Sequence, residues 1–211
     1  MLKSLPDDLY DILFDPIKGL SRVTEDRNLW HGLIIYLVVN ITLVLATLNL
    51  STSSYAVLST PELTRFVSTE ALERLQYTIP LLSVFARLFF WPLVFFLMIT
   101  ILNSVAELFG GEGKISSLGA VYGYSEFPYF LVALGGLLSQ FISFNFTGLF
   151  GLVAFFWSMA LKITGIQLVY GFSWGRSALV FLMPFIALVV VLFIFFMLLI
   201  VVAAPILATF V

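Results

Sequence analysis

Five stretches of this chain stay apolar for about 20 residues or more, the length an α-helix needs to cross the hydrocarbon of a bilayer. They run from Trp30 to Leu50, Ile79 to Leu102, Gly119 to Phe141, Gly148 to Gln167, and Ala178 to about Leu207. Their continuity excludes a membrane barrel, whose strands alternate lipid-facing and lumen-facing residues. The last run is longer than a bilayer requires, so tilt or a projecting end must absorb the excess. Pro184 and Pro205 mark where its regularity can fail. The expected fold class is all-α, a polytopic membrane helical bundle with five transmembrane helices over residues 29–211.

Residues 1–28 follow a different pattern. Leu9, Ile12, Leu13, Ile17, Leu20 and Val23 recur at steps of three and four, with charged residues between them. That spacing predicts amphipathic helix over Asp7 to Val23, either lying in the membrane interface or folded back onto the bundle. Asp15-Pro16 divides it, since Asp suits an N-cap and Pro the first helical position. Leu9, Leu13, Ile17 and Leu20 are expected to be buried. Together with Tyr10 and Phe14 they form the candidate interfacial or partner-binding surface. The charges ahead of the first apolar run argue against a secretory signal, so that run reads as a retained span. Between the first two spans, Ser59-Thr60-Pro61-Glu62 is a helix-start signal. It predicts a short external cap through Leu63, Phe66, Val67, Leu72 and Leu75.

Composition agrees with this layout. Hydrophobic residues make up 61% of the 211 and charged residues 10%, against roughly 25% charged in an ordinary soluble domain. The mean hydropathy is +1.10. So little charge cannot clothe a water-facing surface, and one bundle fills the length. The net charge of −2 gives no support for nucleic-acid binding. Cysteine is absent, which removes disulfides, thiolate catalysis and cysteine metal sites. With the N-terminus in the cytoplasm, Lys3, Lys18, Arg22, Arg27, Lys114, Lys162 and Arg176 fall on or toward that side. Only Arg65, Arg74 and Arg87 fall toward the other, which places the C-terminus outside.

Ionisable side chains inside a bilayer are costly, and each is a functional candidate. Arg87 lies about two turns into the second span, where its stem can snorkel to the headgroups. Glu126 and Lys162 fall at one depth on the third and fourth spans, whose short connection makes them antiparallel neighbours. Gly119, Gly123, Glu126, Ala133 and Gly136 share one face. Thr147, Gly151, Ala154, Ser158, Lys162 and Gly165 share another. Small residues at this spacing let membrane helices approach closely, so the two charges are expected to meet. The pair reads as a structural ion pair or as a proton- or substrate-linked site. Pro128 removes a backbone donor near Tyr124 and predicts a bend there. Tyr124, Pro128, Glu126, Lys162 and Arg87 are the candidate intramembrane polar site.

Nothing in the chain resembles a catalytic centre, and no cofactor is expected. His31, the only histidine, has no carboxylate partners nearby for a metal site. Gly110-Gly111-Glu112-Gly113-Lys114 lacks the Walker spacing and reads as a flexible cytoplasmic turn. No internal repeat supports an inverted-repeat transporter.

The run Val121-Tyr122-Gly123-Tyr124-Ser125-Glu126-Phe127-Pro128-Tyr129 resembles the third-span signature of the Yip family. Phe109-Gly110-Gly111-Glu112-Gly113 is similar to that family's glycine-rich turn. Leu13-Phe14-Asp15-Pro16-Ile17-Lys18 resembles the opening of prokaryotic relatives, and Arg176-Ser177-Ala178 ahead of Pro184 their fifth-span start. Asp8-Leu9-Tyr10 matches part of the Asp-Leu-Tyr-Gly-Pro motif of eukaryotic members, with Asp11 and Ile12 in place of Gly and Pro. The resemblance implies five spans and no enzyme activity. It also implies an accessory protein of a prokaryotic cytoplasmic membrane that binds and organises other membrane proteins, export machinery among them, or self-associates. Eukaryotic members recruit Ypt/Rab GTPases through a long N-terminal region. The short N-terminal segment and the altered motif argue against a small GTPase here. Glu126 replaces the family's usual apolar residue, so its role is not carried over. The alternative reading is a small transporter or lipid-handling protein with its site around Glu126 and Lys162.

Overall fold

The computed structural model describes residues 5–51, 68–139, 141–142 and 144–208. Among them the chain is helical throughout, with no strand. Two short helices open it, α1 (Leu5–Phe14) and α2 (Pro16–Asp26), followed by α3 (Leu29–Ser51) and α4 (Thr69–Leu108). Then come α5 (Ile115–Tyr124), a single 3-10 turn (Phe127–Tyr129), α6 (Phe130–Leu138), α7 (Phe146–Tyr170) and α8 (Trp174–Ala208). Four of these, among the described residues, carry segments long and apolar enough to cross a membrane: Leu29–Ala46, Val84–Leu108, Phe146–Tyr170 and Trp174–Val201.

Local chemistry sets the ends. Asn28 accepts from the backbone N–H groups of Trp30 and His31 at 3.1 and 3.3 Å, satisfying orphan donors at the start of α3. Asn145 does the same for α7 by accepting from Gly148 N at 3.0 Å. Gly171, with φ of 67°, ends α7 in the left-handed conformation that only glycine adopts cheaply. α8 runs through both Pro184 and Pro205 within one helix.

The segment read as a third span is not one continuous helix. It is divided at Ser125–Tyr129, where Tyr129 N donates to Glu126 O across the 3-10 turn. Pro128 at the start of that turn has no N–H to continue the α ladder, which accounts for the break. The second apolar run lies within α4, which already begins at Thr69. Leu72 and Leu75 therefore belong to α4 and not to a separate cap, while Ser59 to Val67 lie outside the described residues.

Two apolar clusters hold the bundle. Phe95, Ile99 and Leu102 of α4 meet Leu118 and Tyr122 of α5, Ile166 of α7 and Val180 of α8. The second cluster ties the N-terminal hairpin to the bundle: Ile12, Leu20 and Val23 pack with Ile35, Val39, Val121, Tyr124 and Leu161. Within the spanning helices these contacts act through close packing, since lipid is as apolar as the side chains, while hairpin side chains withdrawn from water contribute about 1.5–3 kcal/mol each. The hairpin closes tightly because Gly19 lies against the backbone of Ile12, where a Cβ would sit 2.6 Å from its nitrogen. Asp15 occupies the N-cap of α2 with Pro16 behind it, but its side chain makes no capping bond.

Candidate functional site

At the division of the third apolar segment, the two charged side chains singled out above come together. Lys162 Nζ donates to Glu126 Oε1 at 2.6 Å, and each side chain is 12% exposed. The ammonium also lies 4.7 Å from the centre of the Tyr122 ring, a cation–π contact. Tyr124 and Ser125 beside Glu126 are fully buried, and Pro128 is buried with them. Ser125 Oγ donates back to Val121 O at 2.8 Å, satisfying its hydroxyl where the helix ends. Ser158, one turn before Lys162, is buried, and neither its hydroxyl nor that of Tyr124 has a hydrogen-bond partner among the described residues.

The small-residue faces are used differently from the sequence reading. Gly119 and Gly123 do not pack on the fourth apolar segment; they receive α3. A Cβ on Gly123 would run into the carbonyl of Gly32, and one on Gly32 into the carbonyl of Gly119. The contact with α7 is made by Gly165, pressed against Val121, and by Gly135, pressed against Phe146. Gly151 faces open space, with nothing within 4 Å of a built Cβ. Glu126 thus reaches Lys162 from a helix whose glycines are committed elsewhere.

Arg87 lies elsewhere, on α4, with its guanidinium 5.7 Å from the Trp91 ring. Arg176 stacks over Phe172 at 5.1 Å.

Of the candidate interfacial residues, Leu20 is buried, and Leu9 and Leu13 are half-buried. Ile17, expected to be buried, is 64% exposed, beside Tyr10 at 63% and Phe14 at 70%. The reason is the tight hairpin. Turning the chain at Asp15 points Ile12, Leu20 and Val23 at the bundle and leaves Ile17 on the opposite side with Phe14. Tyr10 and Phe14 stack with ring centres 4.7 Å apart.

The strongest polar cluster is one that sequence reasoning missed. Asp8 is 0% exposed. Arg27 donates to Asp8 Oδ2 from Nε at 2.9 Å and from Nη2 at 2.5 Å. Arg22 Nη1 donates to Asp8 Oδ1 at 3.3 Å and pairs with Asp11 Oδ2 at 2.6 Å. The hydrogen bond to Asp8, more than the fields of Asp8 and Tyr124, holds the Arg27 pKa above its ordinary value. A raised cation pKa stabilises the fold fully through the neutral range and is lost only in strong alkali. The one available signal was Arg22 and Arg27 falling 14 and 19 residues after Asp8, which becomes meaningful only once the chain reverses at Asp15. A second missed network sits where α4 and α7 end: Tyr170 Oη donates to Asn103 Oδ1 at 2.6 Å, and Asn103 Nδ2 donates to Glu107 Oε1 at 2.7 Å.

The glycine-rich turn is packed instead of loose. Gly111 and Gly113 lie against the rings of Phe172 and Tyr170, and Gly111 N donates to Ala106 O at 2.9 Å. His31 Nδ1 is 2.8 Å from Asn28 Oδ1, engaged with the helix cap. No group of His, Asp and Glu that could hold a metal is found among the described residues.

A family model described as the Yip1 domain matches residues 10–197. No curated protein and no solved structure matches the chain.

Proposed function

Because the chain belongs to the Yip1 domain family of membrane proteins, we propose that it is a non-enzymatic accessory protein that binds and organises other proteins of its membrane. The observation that carries this reading is that the charges of the divided segment are spent on each other. Glu126 and Lys162 are paired at 2.6 Å, largely covered, with the ammonium also on Tyr122. A closed pair of this kind fixes two helices against one another and offers little to a solute. The surface available to partners is the outer side of the N-terminal hairpin, where Tyr10, Phe14 and Ile17 stand exposed on a base clamped by Asp8.

In this reading the protein crosses the membrane five times. α5, the 3-10 turn and α6 supply the third crossing, and 24 residues from Ile115 to Leu138 reach about 36 Å at 1.5 Å each. The distribution of Lys and Arg supports an N-terminus in the cytoplasm and a C-terminus outside, and the resemblance of Leu13-Phe14-Asp15-Pro16-Ile17-Lys18 to prokaryotic relatives supports a prokaryotic cytoplasmic membrane. The hairpin then lies at the cytoplasmic interface as an amphipathic element.

A specific observation favours the transporter or lipid-handling alternative. The helix break at Pro128 stands beside two buried hydroxyls, of Tyr124 and Ser158, that have no partner among the described residues. Divided helices with spare polar groups line the sites of transporters. Copurification separates the two. Full-length protein extracted from its native membrane in mild detergent should retain specific membrane proteins, and a Tyr10→Ser, Phe14→Ser, Ile17→Ser variant of normal abundance should lose them. Retention of none, or equal retention by the variant, refutes the partner-binding surface.

A further inference from the structure

The ion pairs of the N-terminal hairpin are internal to it. Asp8 and Asp11 stand on α1, Arg22 on α2 and Arg27 at its C-cap, so these pairs join α1 to α2 and tie neither to the bundle. Toward the bundle the hairpin presents Ile12, Leu20 and Val23, packed with Val121, Tyr124 and Leu161. Among the described residues, the side-chain hydrogen bond that crosses this contact is Ser117 Oγ donating to Thr24 O at 3.1 Å. Both residues line an open, mostly polar cleft of about 550 Å³ between the end of α2, the glycine-rich turn and the start of α5. A cleft of this size and polarity admits water to the seam. The chain leaves α2 through Arg27, extended at φ −111° and ψ 150°, and Asn28, before α3 begins. α3 itself is held by the close approach of Gly32 to Gly119 and Gly123. The hairpin is thus a braced unit on a two-residue hinge, resting on an apolar contact.

Beneath the hairpin lies an unmet polar group. The Tyr124 side chain is fully buried, and its hydroxyl has no hydrogen-bond partner among the described residues. It lies in the fields of Arg27 and Asp8, on the hairpin side. A buried hydroxyl left unpaired disfavours the state that buries it, because its hydration is lost and not replaced. Packing therefore holds the hairpin down and Tyr124 opposes it. The covered surface is the end of α5, immediately before the division of the third apolar segment.

We propose that α1 and α2 form a lid that swings as one body about Arg27 and Asn28, and that its lifting opens the end of α5 and the neighbouring face of α7 to water. The pairs inside the hairpin keep it folded while it moves, and the contact beneath parts without breaking any of them. The open hydroxyl of Tyr124 is hydrated in the lifted state, which brings the two states closer in energy. The movement does not depend on what binds Tyr10, Phe14 and Ile17, which stand on the lid's outer side.

The chain has no cysteine, so one introduced thiol reports on one place. Val121→Cys puts it under the lid, and Ala106→Cys puts it in the apolar cluster that the hairpin does not join; both positions are buried. The full-length protein in lipid nanodiscs is treated with a small water-soluble methanethiosulfonate, and the labelling rate is followed. Leu20→Ala should speed labelling of Val121→Cys about 30-fold, the lower end for deleting a buried leucine side chain, and leave that of Ala106→Cys unchanged. Tyr124→Phe removes only the hydroxyl and should slow labelling of Val121→Cys about 5-fold, the opposite of what a loss of packing does. No acceleration by Leu20→Ala, equal acceleration at the two thiols, or unchanged or faster labelling in Tyr124→Phe overturns the lid. Amide exchange separates lifting from melting. A lid that moves as one body exposes the thiol about ten-fold or more as often as the amides of α1 and α2, and equal frequencies refute it. Where Val121→Cys does not fold, Leu161→Cys, on α7 in the same cluster, takes its place with the same outcomes required.

Discussion

Asp8 offers the sharpest test of how the N-terminal hairpin is held. Asp8→Asn preserves the shape of a fully buried side chain and removes its charge. It leaves Arg27 without the carboxylate that accepts from both its Nε and Nη2. Arg22 is less affected, because it keeps Asp11 at 2.6 Å and its contact to Asp8 is the long one, 3.3 Å. The loss is thus essentially that of one covered ion pair, about 3 kcal/mol, the lower end for breaking such a pair on one side. The hairpin makes its own apolar contacts through Ile12, Leu20 and Val23, so the loss should appear as easier local opening, with the bundle intact. Amide hydrogen exchange reads this directly. Protection of α1 and α2 should fall by roughly 100-fold, at 1.4 kcal/mol per factor of ten, while α7 is unchanged. Arg27→Met alone should act similarly, and the double variant should recover part of the loss because no buried charge is left stranded. Unchanged protection in Asp8→Asn, or strictly additive effects in the double variant, would refute the reasoning.

The same logic applies inside the bundle. Glu126→Gln and Lys162→Met should each lower thermal stability, by about 3 kcal/mol where water barely reaches the pair, and the double variant should regain part of it; additive losses in melting experiments count against a direct pair. Gly123→Ala should cost about 1–3 kcal/mol or more, as overpacking does, because its new methyl meets the carbonyl of Gly32. Gly151→Ala, facing open space, should leave the melting temperature unchanged, and equal effects at the two glycines would overturn the packing argument. A reporter fused after Val211 should be active only if it works outside the cytoplasm, and cytoplasmic activity there would defeat the proposed orientation.

The apolar helices were legible in the chain because a membrane imposes length and composition on any helix that crosses it. Trp30 to Leu50 and Gly148 to Gln167 fall within a few residues of Leu29–Ser51 and Phe146–Tyr170. The early start of α4 was hidden because its first turns, Thr69 to Arg74, are polar enough to resemble a separate surface element. The break at Pro128 was visible, since a missing N–H has a local consequence whatever the surroundings. How far the helix would yield was not visible. Ser125 ends α5 and a full 3-10 turn intervenes before α6 resumes, as buried Ser125 and Pro128 are accommodated by neighbours that a sequence cannot display.

Side chains divide along the same line. Glu126 and Lys162 were legible because a charge in an apolar run demands a partner, and few partners exist. Asp8 was not, because an acid among the many charges of residues 1–28 carries no such demand. Its burial follows from the reversal at Asp15, which brings Arg22 and Arg27 over it. The glycine faces went astray for a related reason. Spacing says that a helix has a narrow side, but Gly123 accepts Gly32 and Gly165 accepts Val121, and only the three-dimensional order of the helices decides which neighbour arrives. Glu126 and Lys162 met nonetheless, because long side chains tolerate an error in helix placement that a glycine contact does not. A charge pair can be foreseen from depth alone, whereas a close backbone crossing requires the whole arrangement.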